Sequence, residues 1–443
     1  MNSLAAADAV TPGEPPWPSA SRAWWAVGVF CIAAILSYSD RQILSLLVDP
    51  IRADLHITDA QIGLLQGAAF SLIYAVAGVA LGRAADVMPR RLVIVAGVLV
   101  WSVGTLACGY ANSFGSLFAA RAAVGIGEAA LAPAATSIIA DSFRAHRRGA
   151  GIGVFLMGMV VGAGGALALG GFILQAAQSG ALSGVPLLGA LAPWRAGLVV
   201  LGLAGLPVAL LTLSVAEPMR RHLAAGSGGQ ASLADAARAF FKLWRPLLPL
   251  YIAMGLANIC DFAILNWAPT LLIRRFSVNV GEIGTVLGAV VIVGGVLGSF
   301  GAGLVADRMV IRGGPPARLR LAVMTTAVGV IGALLVAAPG PAAVFAMAGL
   351  WMLASTTGQS MGITVVQDVA PGEARGLAAS LISLVNIGAG LALGAYLPPL
   401  ILDHVLGDPT AVGAAVTIVA LPCAIASTGL YAFALNRLRK AVG

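Results

Sequence analysis

Long stretches of this chain contain no Asp, Glu, Lys or Arg at all: Leu92–Ala120, Gly149–Trp194, Ile283–Ala306, Leu321–Gln367 and Gly376–Leu402. About 20 apolar residues in a helix cross the hydrocarbon of a bilayer, so each run is long enough for one span and some must hold two. Only 10% of the 443 residues are charged, against about 25% in a soluble protein. The expectation is an all-α membrane protein of twelve transmembrane helices, at 23–47, 60–81, 92–111, 115–140, 149–177, 195–216, 245–272, 282–305, 318–338, 342–366, 376–400 and 411–436.

The formal net charge is +8, but its placement argues for a lipid bilayer as partner and against nucleic acid. Twenty of the 26 Lys and Arg fall in alternate loops that include both termini, among them Arg83, Arg90, Arg91, Arg144, Arg308 and Arg437. The opposite loops hold Arg52, Arg195, Arg274 and Arg275. This positive-inside bias predicts both termini in the cytoplasm. Residues 1–22, with several prolines and no basic leader, read as a disordered cytoplasmic tail. Residues 217–243, with Pro218 and Gly226-Ser227-Gly228-Gly229, read as a solvated cytoplasmic linker between six-helix halves at 23–216 and 244–443.

Four ionisable residues interrupt the apolar pattern of the first half: Asp40 and Arg41 late in helix one, Arg121 and Glu128 in helix four. A charge at a bilayer centre costs roughly 2.5–3.5 kcal/mol on lenient scales, so such groups face a partner, a ligand or a watery path. Arg121, Gly125 and Glu128 are spaced i, i+4, i+7 and share a helix face, the two charges about 10 Å apart along the axis. That face presents cation, gap, acid. A repeat links the halves: Gly82-x-x-x-Asp86 recurs 221 residues later as Gly303-x-x-x-Asp307, and the same displacement carries Asp40 onto Asp261. Internal duplication of this length is the plan of transporters with a site between repeats near the midplane.

Gly82-Arg83-Ala84-Ala85-Asp86-Val87-Met88-Pro89-Arg90-Arg91 resembles the cytoplasmic signature between helices two and three of the major facilitator superfamily, although Val87 and Pro89 replace the usual basic residue and glycine. Gly303, Asp307 and Arg308 form its second copy. The resemblance implies a gating motif, with glycine admitting a neighbouring helix and Asp86 pairing on the cytoplasmic side to latch the outward-open state. Tyr38-Ser39-Asp40-Arg41, Arg121 to Ala129, Ile139-Ala140-Asp141-Ser142-Phe143 and Trp267-Ala268-Pro269 at the end of helix seven resemble the spinster branch, which includes proton-linked carriers of lysophospholipids and sphingosine phosphate. It implies a proton-coupled secondary transporter in a bacterial inner membrane, with Asp40 and Glu128 taking protons, and Arg121 pairing with Asp40 or holding an anionic head. Arg41 is expected to pair with Glu128 or Asp40. The expected cargo is an amphiphile such as a lysophospholipid. A small organic anion, a sugar acid or aromatic carboxylate, is the alternative, and a non-transporting receptor of the same fold is a third reading.

Asp261 in helix seven, near Asn258 and Asn266, is expected either to tie helices together or to contact cargo. The glycines of helix five, Gly158-x-x-x-Gly162 among them, imply close helix packing. Ser355, Thr356, Thr357, Gln359, Ser360, Ser380, Ser383 and Asn386 are expected either to line a cavity or to hydrogen-bond between helices. Cys31, Cys108, Cys260 and Cys423 lie in apolar runs without metal-ligand spacing, and the four histidines lie in loops or at helix ends. The reading is therefore a monomer with no cofactor, no metal and no catalytic site, that is, not an enzyme.

Overall fold

The computed structural model describes residues 17–181, 184–185, 188–220, 233–314, 316–369, 378, 381–382 and 384–442, and among these it contains helices and no strand. The expected tail up to residue 16, the middle of the linker and the candidate lining residues Ser380 and Ser383 lie outside the described residues. Eleven described segments are long and apolar enough to cross a membrane: α1 (Ala20–Leu46), α2 (Asp59–Val87), α3 (Arg90–Gly109), α4 (Phe114–Ser142), α5 (Arg147–Ala176), α6 (Pro193–Leu213), α7 (Leu247–Phe276), α8 (Val280–Ile311), α10 (Pro341–Val369), α11 (Leu384–Leu406) and α12 (Val412–Arg437). The remaining span, α9 (Pro316–Gly329), is a short α-helix continued by two 3₁₀ turns, Val330–Ala333 and Leu335–Ala337.

Local chemistry sets several helix starts. Thr58 and Gln61 form a reciprocal capping box at α2, Ser113 and Ser116 do so at α4, and Pro193 occupies the first turn of α6, where its missing N–H has no cost. Two boundaries differ from the sequence expectation. The helix containing α7 begins at Leu233 and continues to Phe276, so part of the expected linker is helical and Pro269 does not end the helix. Glu217 and Arg220, placed in the solvated linker, instead bond to the ends of α2 and α3.

Glycine brings the two six-helix halves together. A Cβ at Gly164 of α5 would lie 2.3 Å from the Gly288 carbonyl oxygen of α8, and one at Gly63 of α2 would lie 2.7 Å from the Ala395 oxygen of α11. Backbones this close exclude any side chain. Gly158 and Gly162 pack within the first half, against Cys31 and Ile35 of α1. At the end of the bundle away from the termini the halves are also tied by charge. Arg274 of α7 bonds Asp49 (2.7 Å) and Asp59 (2.8 Å), Asp403 accepts from the Ala60 N–H at 2.7 Å, and Gln42 donates to the Leu265 oxygen at 3.3 Å.

Candidate functional site

The four charges of α1 and α4 meet inside the first half. Arg41 Nε lies 2.6 Å from Glu128 Oε2, and Ser37 Oγ donates to the same oxygen at 2.6 Å. Arg121 Nη1 lies 3.6 Å from Asp40 Oδ2, which also accepts from Thr105 Oγ1 of α3 at 2.8 Å. Asp40, Arg121 and Glu128 are buried, whereas the Arg41 side chain keeps 15% of its surface. The site is thus two ion pairs stacked between one pair of helices, with one guanidinium partly open.

Aromatic rings fix the cations. Arg41 lies over Tyr38 (4.8 Å), Phe70 (4.5 Å) and Tyr74 (5.0 Å), and Arg121 lies 5.6 Å from the Phe70 ring, all inside cation–π range. Gly125 explains how Phe70 gets there. The expected gap between Arg121 and Glu128 is filled by α2, because a Cβ at Gly125 would sit 2.9 Å from the Phe70 carbonyl oxygen. Some polar capacity stays unused. Asp40 Oδ1, Arg121 Nε and Glu128 Oε1 are buried without a hydrogen-bond partner among the described residues.

Asp261 is held differently. Trp351 Nε1 donates to its Oδ1 at 2.6 Å and Ser355 Oγ to its Oδ2 at 2.7 Å, both from α10. The expected asparagine neighbours are not its partners: Asn258 Nδ2 donates to the Met254 oxygen, and the Asn266 amide nitrogen is buried without a partner. Gln359 reaches the same Met254 oxygen at 2.9 Å.

A family model described as the Major Facilitator Superfamily matches residues 30–395. The chain belongs to the Major Facilitator Superfamily. It is 31% identical over 290 residues to an MFS-type efflux pump of Mycolicibacterium smegmatis, a match covering 65% of this chain and 63% of the pump. Protein spinster of Drosophila melanogaster is 29% identical over 199 residues, covering 45% of this chain and 30% of that protein. The match therefore spans less than two thirds of either relative's length. In fold, the chain resembles a bacterial homolog of the human lysosomal transporter Spinster in an inward-facing, unoccupied conformation, with TM-score 0.75, 23% identity and coverage of 95% and 96%.

The segment that resembles a superfamily signature splits in two here. Arg90, 1% exposed at the start of α3, bonds Asp141 at the end of α4, Glu217 at 2.8 Å, Ser137 Oγ at 2.9 Å and the Pro218 oxygen at 2.8 Å. Arg91 donates its backbone N–H to Glu217 at 3.0 Å. Asp86, in contrast, is 65% exposed and among the described residues pairs with Arg83 of its own helix, at 3.6 Å. Asp307 and Arg308 are exposed. The close approach expected at the signature glycines is absent in this conformation, since a Cβ on Gly82 or Gly303 would meet nothing within 4 Å.

Several of these groups carry no signal in the sequence. Ser37, Thr105, Phe70, Tyr74 and Trp351 are ordinary residues in apolar helices until the fold sets them beside a charge. Arg274 carried a readable signal, as one of four basic residues in the base-poor loops.

Proposed function

We propose that this protein is a proton-coupled secondary transporter of an amphiphile with an anionic or zwitterionic head. The observation that carries the reading is the double pair Asp40–Arg121 and Glu128–Arg41 buried between α1 and α4. Static packing would not favour such a cluster, because apolar residues of similar volume fill a helix interface without desolvating four charges. A pair that exchanges partners has a use for them. When an anionic head draws Arg121 or Arg41 away, the released carboxylate is neutralised by a proton, and cargo and proton occupancy become linked. Tyr38, Phe70 and Tyr74 suit the apolar part adjoining the head, and the largely apolar second half suits a tail.

With both termini in the cytoplasm of an inner-membrane protein, the bonded end through Arg274, Asp49 and Asp59 faces outward, and the exposed Asp86 and Asp307 mark an unlatched inner side. This is an inward-facing arrangement in which the signature residues act as a gate between states. The partly open Arg41 boxed by three rings also suits an aromatic carboxylate or sugar acid, and competition between such acids and lysophospholipids for the purified protein separates the two cargoes.

The decisive test is Asp40→Asn in proteoliposomes. The variant is expected to fold and bind cargo, yet to lose uptake driven by a pH gradient. Unchanged gradient-driven uptake would remove Asp40 from coupling.

A further inference from the structure

Among the described residues, Asp261 is a carboxylate that pairs with no cation. By sequence, α7 carries no Lys, Arg or His between Pro246 and Ile273, α8 none between Ile283 and Ala306, α10 none between Pro341 and Val369, α11 none between Leu384 and Leu402, and α12 none between Val412 and Asn436. Among the described residues its polar partners are the neutral Trp351 indole and Ser355 hydroxyl, one on each oxygen. Each carboxylate oxygen keeps a second lone pair free. The arginines between α1 and α4 are already committed, Arg41 to Glu128 and Arg121 to Asp40.

The surroundings of this carboxylate are rich in acceptors. Asn258 lies one turn before Asp261 on the same face of α7 and packs against Gly390 of α11, where a Cβ would come within 2.5 Å of the Asn258 Cβ. One turn back along α11, Asn386 directs its amide nitrogen to Gln359 Oε1 at 3.4 Å, which leaves its own oxygen buried without a partner. Asp261, Asn258, Gln359 and Asn386 are all only partly buried. A carboxylate whose partners among the described residues are a neutral indole and a neutral hydroxyl attracts a positively charged group and repels a negative one.

We propose that Asp261 forms a cation subsite in the second half, which takes the ammonium group of the cargo's head while the arginines of the first half take its anionic group. The inference rests on the transport reading above and narrows the cargo to molecules carrying an alkylammonium. A ligand held at both ends spans the two halves, so its binding draws them together.

The test uses the full chain in lipid nanodiscs and three single-chain probes that stay monomeric: octyltrimethylammonium, octyl phosphate and octyl glucoside. Binding is read as stabilisation against thermal unfolding across a concentration series. Wild-type protein is expected to bind octyltrimethylammonium at least tenfold more tightly than neutral octyl glucoside. Asp261→Asn is expected to weaken the ammonium probe tenfold or more and to leave octyl phosphate unchanged, while Asp261→Glu keeps ammonium binding. Equal affinity of the wild-type protein for ammonium and glucoside overturns the proposal even if the Asn variant fails to fold. An Asn variant that binds the ammonium as wild type does, yet loses gradient-driven uptake, also overturns it, since the carboxylate then serves a proton. Failure of the transport reading shows elsewhere, in unchanged gradient-driven uptake by Asp40→Asn, and does not alter the ammonium affinity measured here.

Discussion

The two halves share a repeat but handle their buried acids in opposite ways. In the first, Asp40 and Glu128 each have an arginine from the facing helix, and each arginine lies over an aromatic ring. In the second, Asp261 stands at the repeat position of Asp40 and among the described residues has two neutral donors. Duplication kept the acid and not its cation. The first half can therefore rearrange charge among its own side chains, whereas the second has to find its counter-charge beyond them.

That contrast is broken most directly at Arg41. Arg41→Ala removes the Glu128 partner and the ring contacts together, leaving a buried carboxylate unpaired, so a loss of about 3–5 kcal/mol is expected. Replacing both members, Arg41→Met with Glu128→Leu, is expected to recover most of it, because an apolar pair has no charge to desolvate. Thermal unfolding of both variants in detergent, beside Asp261→Asn, checks this. If Asp261→Asn, which strips no cation, costs as much stability as Arg41→Ala, the two environments are not different in kind.

A smaller effect sharpens the account of how the first half holds its cations. Gly125→Ala sets a Cβ 2.9 Å from the Phe70 carbonyl oxygen. A backbone atom cannot rotate away, so α2 has to retreat, and overpacking of this kind costs about 1–3 kcal/mol. The Phe70 ring would then leave both guanidinium groups. Unfolding temperature reads the stability loss, and weaker binding of an anionic ligand reads the displaced arginines. A variant that packs without change would detach Gly125 from the site.

Smaller again is the loss expected in the second half when one donor to Asp261 is removed. Ser355→Ala deletes a single hydrogen bond of 2.7 Å and leaves Trp351 in place, for about 1 kcal/mol. A cost near that of Arg41→Ala would mean that the carboxylate depends on this hydroxyl as Glu128 depends on its arginine.

How far the sequence reveals this architecture varies with the range of the interaction. Charge-free runs set the spans, and helical periodicity puts Arg121 and Glu128 on one face, because both depend on residues close in sequence. Phe70 over Arg41, Trp351 on Asp261 and Arg274 on Asp49 and Asp59 depend on which helices become neighbours after the halves fold and meet. Apolar spans carry little side-chain variety to specify those neighbours. The glycines illustrate the limit: Gly158 and Gly164 look alike in the chain, yet one seats α5 on α1 and the other seats it on the opposite half. Asn258 and Asn266 were the polar residues near Asp261 in sequence, and its partners instead came from a helix about 90 residues away.

The smallest predicted effect separates two residues that the sequence joins in one motif. Asp86 is 65% exposed and its partner Arg83 more so, at 76%, and a solvated pair on one helix contributes about 0–1 kcal/mol. Asp86→Asn is therefore expected to shift the stability of this conformation by no more than about 0.5 kcal/mol, although Arg90, four residues along, is buried among Asp141, Glu217 and two carbonyl oxygens. If Asp86 acts as a latch, its contribution belongs to the other state, where the ends of the halves beside it close. A cross-half distance measured by spin labels at the end of α2 and the start of α11 tests this, since Asp86→Asn would lower the population of the closed-in form while leaving the unfolding temperature in place. A fall in unfolding temperature with no change in that population would instead make Asp86 a structural residue of the first half.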